Sequence, residues 1–375
     1  MPVFTDMQKK WMLMALEEAR KGVGLTSPNP AVGAVLVKNN RLIARSYHKY
    51  PGGLHAEANA ISLAGPGARG SDLYVTLEPC SSTDKRTPPC TEAIIKTGIK
   101  RVFSAITDPN PVHCGRGYRK LRKKNVSVFD GLLSEQAREI NLPFFKRVIE
   151  KLPFVTLKFA QSLDGKIATR TGDSKWISSV PSRRMAHVLR SRNDAVMTGI
   201  NTVFADNPFL TVRHIESKKQ TLRIIVDSRY KIPLTANVLR NNDAKTLVAG
   251  SSNLDRKKER KIISMGHEIV KIKKDKTGLI DMKALLKYLL DIGINSVLVE
   301  SGGTLASSLL EKNLVDRVIY IIAPVLIGGH DAITSFEGKG IGNVSDAVKV
   351  EGVNIKRCGP DFILTGELNS DWRKF

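Results

Sequence analysis

Two short stretches of this chain hold the residue types that metals and mobile protons use. In "HAEANAISLA" (residues 55–64), His55 and Glu57 stand two apart where a helical pattern begins, and "LEPCSSTDKRTPPCTEAII" supplies Cys80 and Cys90. Alone, Glu57 needs no more than electrostatics to explain it, because the first turn of a helix favours negative charge. A histidine becomes a metal ligand when cysteines or carboxylates elsewhere complete its shell, and here the cysteines are the candidates. Cys80 follows Pro79 at the end of a strand-like run. Cys90 follows Pro88-Pro89 at the start of a helical one, where unpaired N–H groups and positive potential favour a thiolate. If the three side chains converge at the carboxyl edge of one sheet, one imidazole and two thiolates offset the charge of Zn²⁺. They leave its fourth tetrahedral position to water, the arrangement of a catalytic rather than a structural site. Glu57 then gains a second use, taking a proton from that water and delivering it to a departing nitrogen.

The elements that must position these residues follow from hydrophobic spacing. Trp11, Met12, Ala15, Leu16 and Ala19 fall at helical intervals, and "AVGAVLVK" and "RLIARSYH" flank Asn39 and Asn40 as a hairpin. Beyond them the chain alternates. A helix from His55 leads to the strand "SDLYVTLE", a helix after Pro88-Pro89 leads to "RVFSAI", and a helix over 115–124 leads to "VSVFDG". That order predicts a helix-flanked, mostly parallel sheet with one antiparallel edge. "NLPFFKRVIEKLP" reads as a connector, and alternation resumes at Phe154 with "FVTLKFAQ", a helix over 181–191, "AVMTG", "LRIIVDS", "KTLVAG", a helix near 255–265 and "EIVKIK". A helix from Asp281, "SVLVES", a helix from Thr304 and "RVIYIIAPVLIGG" complete a second α/β domain.

A chain of 375 residues exceeds the size at which single cores stop growing, so two domains are expected, 1–148 and 149–375. There is no uncharged apolar run of about eighteen residues and no signal-peptide pattern, which predicts a cytoplasmic protein with no membrane partner. Four cysteines in so long a chain are not a disulfide framework. The net charge of +23 is spread: residues 1–150 carry 23 Lys+Arg against 13 Asp+Glu. Without a basic tail or an aromatic-interleaved basic patch, it reads as a lysine-rich solvated surface, and no nucleic-acid partner is expected.

His-x-Glu followed by Pro-Cys and a second Cys is the signature of the zinc nucleobase deaminases. The second spacing is usually Cys-x-x-Cys, whereas nine residues separate Cys80 from Cys90 here. "TSPNPAVGAVLV", "HAEANA", "VTLEPCSSTDKRTPPC" and "DPNPVHCGRG" together resemble the deaminase half of the bifunctional pyrimidine deaminase/reductase family of riboflavin biosynthesis. "LKFAQSLDGKIAT", "GDSKWISS", "ADNPFLTVR" and "VESGGTLASSLL" resemble its reductase half, in the family's order. The resemblance implies a cytidine-deaminase-like domain followed by a dihydrofolate-reductase-like one, with one Zn²⁺ per chain and NADPH as cofactors. It implies zinc-dependent deamination of a phosphoribosylamino-pyrimidine to a uracil, then NADPH-dependent reduction of the ribose to ribitol with the phosphate retained. Substrates are therefore phosphorylated pyrimidines; whether the chain forms a homo-oligomer stays open.

Carried over position by position, the resemblance makes His55, Cys80 and Cys90 the zinc ligands and Glu57 the proton shuttle. Asn29, His48, Arg86, Asp108 and Asn110 match positions around the first substrate, although Asn29 and Asn110 both precede prolines and could simply organise turns. Gln161, Trp176, Thr202, Asp206 and Ser228 match NADPH positions, with core filling the competing role for Trp176. Ser174, Arg190, Leu210, Arg213 and Glu300 match positions around the second substrate. In "ESGGTLASS", Gly302, Gly303 and Thr304 would let backbone N–H groups approach a cofactor phosphate at a helix start, or serve close packing of that helix. The chain departs from the family in a metal loop one residue longer, beginning Cys-Ser-Ser instead of Cys-Ser-His, and in Cys114, where a small apolar residue is usual. Cys114 and Cys358 read as unligated. Two rival classes remain. One is a nucleic-acid-editing zinc deaminase with an accessory domain; the other is a zinc-stabilised binding protein, which leaves Glu57 unexplained. NADPH-dependent tryptophan quenching separates the family reading from both.

Overall fold

Asn39 and Asn40 both take positive φ, 48° and 58°, the backbone of a tight two-residue hairpin turn. They fold β1 (Gly33–Lys38) back on β2 (Arg41–Tyr47). The structure is a computed structural model that describes residues 3–82, 88–217 and 219–368. Its contacts divide into one unit ending at Lys151 and another beginning at Leu152.

In the first unit, β3 (Asp72–Val75) pairs with the other side of β1, and β4 (Arg101–Ser104) and β5 (Ser127–Asp130) follow in parallel, giving the order β2-β1-β3-β4-β5. The antiparallel pairing lies at one edge, as the alternation suggested, with the reversed strand β1 second from that edge and antiparallel to both its neighbours. The pairing of β1 with β3 leaves β2 outermost. Helices α1 (Asp6–Arg20), α2 (Ala56–Ala64), α3 (Cys90–Thr97) and α4 (Arg116–Arg122) lie where spacing placed them. The expected connector, 141–153, is largely helical, as α6 (Leu142–Glu150), and α5 (Ser134–Ile140) precedes it. Pro143 sits in the first turn of α6, where its missing N–H costs nothing.

The second unit is a nine-stranded sheet. Its strands are β6 (Phe154–Ser162), β7 (Ala195–Gly199), β8 (Leu222–Val226), β9 (Thr246–Gly250), β10 (Glu268–Lys271), β11 (Ser296–Val299), β12 (Arg317–Ala323), β13 (Glu351–Cys358) and β14 (Asp361–Glu367). They lie in the order β10-β9-β8-β7-β11-β6-β12-β14-β13. Seven of these are parallel; β14 adds antiparallel to β12 and β13 antiparallel to β14, extending a sheet that the sequence pattern ended near residue 329. Helices α7 (Val180–Arg192), α8 (Ile200–Asp206), α9 (Asn237–Arg240), α10 (Arg256–Ser264), α11 (Met282–Asp291) and α12 (Gly303–Glu311) connect them, α8 and α9 being too short for a periodic signal. Strand alternation divides the core in two. Met197, Ile224, Leu247, Val297 and Val299 join one apolar cluster, while Val196, Ile225, Val248 and Leu298 join another, one on each face of the sheet. Among the described residues, no helix is long and apolar enough to cross a membrane.

Helix α1 crosses β1 at Gly33. A Cβ there would overlap the Ala15 carbonyl oxygen and lie 2.6 Å from the Ala19 nitrogen, and both are backbone atoms that cannot rotate away. Gly33→Ala is therefore expected to destabilise the first unit by at least about 1–3 kcal/mol, the usual cost of overpacking. Denaturant unfolding checks this, and an unchanged midpoint would mean that α1 can move off the sheet.

Candidate functional site

His55 is the N-cap of α2, with extended backbone, and Cys90 is the first residue of α3. Cys80 lies in irregular chain five residues past the end of β3, so its position depends on what holds that segment. The Cys80 carbonyl accepts the Thr91 N–H at 3.1 Å, and its Sγ accepts the Cys90 N–H at 3.4 Å. Two helix starts and one loop thereby bring three donor atoms together. His55 Nδ1 lies 3.4 Å from Cys80 Sγ and 3.3 Å from Cys90 Sγ, all three atoms within 4.8 Å of one another. The Cys90 S–H, hydrogen-bonded to Cys80, together with His55 holds the Cys80 thiol down to about 4 against the effect of burial; as the donor, Cys90 is pushed up. An imidazole and two sulfurs, one readily ionised, are a donor set that suits zinc. Glu57 is 3% exposed, and burial pushes its carboxyl above the ordinary range, partly opposed by His55. Among the described residues no other group of three such side chains has metal-holding geometry, and Cys114 is exposed.

Beside these donors, the His48 ring stands edge-on to His55 with centroids 5.4 Å apart. His48 Nδ1 lies 3.1 Å from the Leu54 carbonyl and so carries the proton, leaving Nε2 to accept from Asn29 Nδ2 at 3.2 Å. Asp108 Oδ1 accepts the Asn110 N–H and Asn110 Oδ1 accepts the Val112 N–H, at 2.8 and 3.0 Å. The turn-organising role weighed for Asn110 is thus realised in the fold. Arg86 lies outside the described residues. Glu78, which the motifs did not single out, accepts the N–H groups of Asp108, Gly115 and Gly117 at 3.2, 2.9 and 2.8 Å and ties this loop to the segment bearing Cys80.

The second unit contains a cavity of about 590 Å³ at the carboxyl ends of β6 and β11. Ser174, Trp176, Arg190, Thr202, Arg213 and Glu300 line it, while Gln161, Asp206, Leu210, Ser228, Gly302, Gly303 and Thr304 do not. Several of those remain within one contact of the wall. Asp206 accepts from Ser174 Oγ at 3.0 Å, and Thr202 Oγ1 accepts the Gly302 N–H at 3.3 Å. Gln161 Oε1 is taken by Ser335 Oγ at 2.7 Å, and Leu210 is buried in a core cluster. The core-filling alternative for Trp176 fails: it is 70% exposed, with the Arg183 guanidinium 4.6 Å over its ring. Of the paired glycines, a Cβ on Gly303 would meet the Glu337 backbone nitrogen at 2.7 Å, whereas one on Gly302 would meet nothing. Close packing therefore accounts for Gly303 and not for Gly302.

Among the described residues Glu300 is the cavity's only lining carboxylate, surrounded by Lys158, Lys175, Arg183, Arg184, Arg190 and Arg213. Arg190 grips it with both arms, at 2.6 and 3.0 Å, and Lys158 Nζ stands at 3.6 Å. Sequence reasoning passed over Lys158, His187, Arg183 and Arg184. A lysine inside the apolar strand "FVTLKFAQ" and basic residues at 183, 187 and 190, one face of α7, were the available signals.

Residues 153–364 match the family model for the RibD C-terminal domain, and residues 5–106 match that for the cytidine and deoxycytidylate deaminase zinc-binding region. The chain is similar to the riboflavin biosynthesis protein RibD of Aquifex aeolicus, with 41% identity over 96% of this chain and 98% of that one. It is similar to the protein of the same name in Bacillus amyloliquefaciens, with 42% identity over 96% of each. Its fold is similar to the crystal structure of a diaminohydroxyphosphoribosylaminopyrimidine deaminase/5-amino-6-(5-phosphoribosylamino)uracil reductase from Thermotoga maritima. That likeness has a TM-score of 0.86 and 35% identity, covering 96% of this chain and 99% of that one.

Burial alone would raise the Glu300 carboxyl; the charges of Arg190 and Lys158 and the Arg190 hydrogen bonds outweigh it and hold the group near about 2, below its ordinary 4.5. A carboxylate held low contributes stability above its unfolded value and loses it as pH falls towards its folded one. Glu300→Gln should therefore cost on the order of 3 kcal/mol at neutral pH, a penalty that shrinks as pH falls from about 4.5 towards 2. Melting curves of parent and variant across that range check it; a gap that does not change with pH would dismiss the ionised pair as its source.

Proposed function

The chain belongs to the RibD family of riboflavin biosynthesis, and on that premise we propose how its own residues divide a deamination and a reduction between them. The enzyme is a bifunctional deaminase/reductase. Its first activity converts 2,5-diamino-6-(5-phosphoribosylamino)pyrimidin-4-one to the uracil with loss of ammonia, and its second reduces the ribosyl group to ribityl. We assign the first to residues 1–148 and the second to 149–375, both in the cytoplasm. The observation that carries the assignment of roles is the meeting of His55, Cys80 and Cys90 around one point with the buried Glu57 two residues from His55.

In this reading His55, Cys80 and Cys90 hold one zinc ion, which when bound supplies the Lewis acidity that makes water a nucleophile near neutral pH. Glu57 accepts the proton of the attacking water at a carboxylate oxygen and passes it to the ring amino nitrogen as the C–N bond breaks. Its burial suits the task, because a raised carboxyl can both take and give a proton near neutral pH. His48 and Asn29, locked to each other, present a fixed edge to the pyrimidine, and Asp108 and Asn110 contact it from the turn that Glu78 holds.

In the second unit NADPH, when bound, supplies the hydride. Trp176, Thr202, Gln161, Asp206, Ser228 and the start of α12 at Gly302–Thr304 hold and orient that dinucleotide. Ser174, Arg190, Glu300 and Arg213 line the part of the cavity that holds the phosphoribosyl arm, and Leu210, buried in the core, anchors the chain that carries Arg213. The two arginines differ in availability. Arg190 is committed to Glu300, whereas Arg213 makes one side-chain hydrogen bond, to Thr211 Oγ1 at 2.7 Å, and no ion pair among the described residues. Arg213 is therefore the phosphate ligand, because its fork can turn two N–H groups on two phosphate oxygens.

Glu57→Gln keeps the shape of the side chain and removes the proton shuttle. Deamination should fall by about 10² to 10⁴ while zinc stays near one per chain. Product analysis with metal quantification checks this, and deamination near the parent rate would remove Glu57 from the mechanism. Arg213→Ala should weaken binding of the phosphorylated uracil substrate about ten- to hundred-fold and leave NADPH affinity unchanged. Equal binding of phosphorylated and unphosphorylated substrates by the parent enzyme would end the phosphate assignment.

A further inference from the structure

The chain from Phe209 to His214, which carries Leu210 and Arg213, belongs to no strand or helix. Two of its non-glycine residues take left-handed backbone, Leu210 with φ 53° and His214 with φ 63°. Each such residue costs on the order of 1 kcal/mol or more and persists only where surrounding contacts over-determine it. Those contacts come from side chains. Gln220 grips Val212 as a strand partner would, its Oε1 accepting the Val212 N–H at 2.8 Å and its Nε2 donating to the Val212 carbonyl at 3.1 Å. Arg190 Nη1 donates to the Thr211 carbonyl at 3.0 Å. The Arg213 N–H donates to Nδ1 of His187, a buried residue of α7 that also lines the cavity, at 3.1 Å.

We propose that His187 is a positioning residue of the reductase site: by accepting the Arg213 N–H at Nδ1 it fixes the backbone from which the Arg213 guanidinium meets the substrate phosphate. The inference rests on the phosphate reading of Arg213 given above. Because Nδ1 accepts, the ring proton sits on Nε2 and the imidazole is neutral. Its surroundings enforce that state: burial first, then the charges of Arg190 and Arg213 and the neighbouring His214, drive the ring down to about 4. His214 packs edge-on against His187 with centroids 5.1 Å apart. A charged imidazole could not accept the bond, so the same cations that make the pocket suit a phosphate also keep its clamp in the accepting form.

The geometry supplies its own test, since the amide oxygen of asparagine overlays histidine Nδ1 and the amide nitrogen of glutamine overlays Nε2. Steady-state reduction of the phosphorylated uracil substrate at saturating NADPH is measured on the full chain for His187→Asn, His187→Gln, His187→Phe, Arg213→Ala and the double variant Arg213→Ala/His187→Phe. Expected are a KM raised about tenfold with little change in kcat for His187→Phe and His187→Gln, and a KM within about threefold of the parent for His187→Asn. In the Arg213→Ala background His187→Phe should add nothing, because a positioning residue has no effect once the group it positions is gone. Rescue by glutamine and not by asparagine would overturn the proposal in favour of direct contact through Nε2, and so would fully additive losses in the double variant. An unchanged KM in Arg213→Ala alone would bring down the phosphate reading first, so the two failures are told apart. Asparagine and glutamine are both polar near-isosteres, so their contrast stands even if His187→Phe does not fold.

Discussion

A backbone N–H that has left its strand, or has not yet entered its helix, needs an acceptor, and both candidate sites of this chain are made of such backbone. In the first unit the acceptor is Glu78. Its carboxylate collects three N–H groups from the loop 108–117, its own N–H donates to the Ile106 carbonyl at 2.9 Å, and Cys80 follows two residues later. Gly117 permits this closeness, because any Cβ there would overlap the Pro79 carbonyl oxygen. In the second unit Gln220, His187 and Arg190 do the same for residues 211–213, and Thr202 does it for Gly302. Asp194 holds the entry to β11 through the N–H groups of Asn295 and Ser296 at 3.0 and 3.1 Å. A buried donor without a partner costs roughly 1–3 kcal/mol, so these acceptors are obligatory wherever irregular chain is packed inside. The residues proposed for chemistry are consequently held in part by residues with no such role, such as Glu78 and Gln220.

This division explains what was legible in the sequence. His55, Glu57, Cys80 and Cys90 could be read because metal and proton chemistry restrict residue type and spacing together, and the two helix starts that position His55 and Cys90 carry their own signals in apolar period and proline placement. The strands of the second unit were legible because strands buried on both faces are continuously apolar. What failed to show was of two kinds. Strand β13 is exposed along nearly its whole length, so no core imposes an alternation on it, and α8 and α9 span less than two turns or barely that. Glu78 and His187 act by meeting a backbone atom far along the chain, 30 to 39 residues away for Glu78 and 26 for His187, and Gln220 meets one eight residues away across irregular chain. Such a role leaves no periodicity and needs only an acceptor of the right length, so composition cannot distinguish it from an ordinary surface glutamate or glutamine. The order within the hairpin was unreadable for a related reason: a hairpin is visible locally, but which of its two strands faces the next one is a non-local choice.

The two arginines show how far type alone leads and where geometry must take over. Both were expected at the second substrate on equal terms. Arg190 sits among buried groups with a carboxylate across both arms, and that charge keeps its guanidinium raised against the penalty of burial. Its attraction is already satisfied, so an incoming anion gains little from it and would repel Glu300. Arg213 stands over the Phe209 ring at 5.0 Å with its charge uncompensated; burial and then the nearness of Arg190 lower it, with only Asp243 opposing. A cation held in that condition is one that a dianionic phosphate would relieve, so binding is favoured both by the new hydrogen bonds and by the repulsion removed. Glu300 therefore serves the pocket in two ways: it pairs with Arg190 and Lys158 inside, and by occupying Arg190 it leaves the neighbouring arginine as the place we propose for the anion.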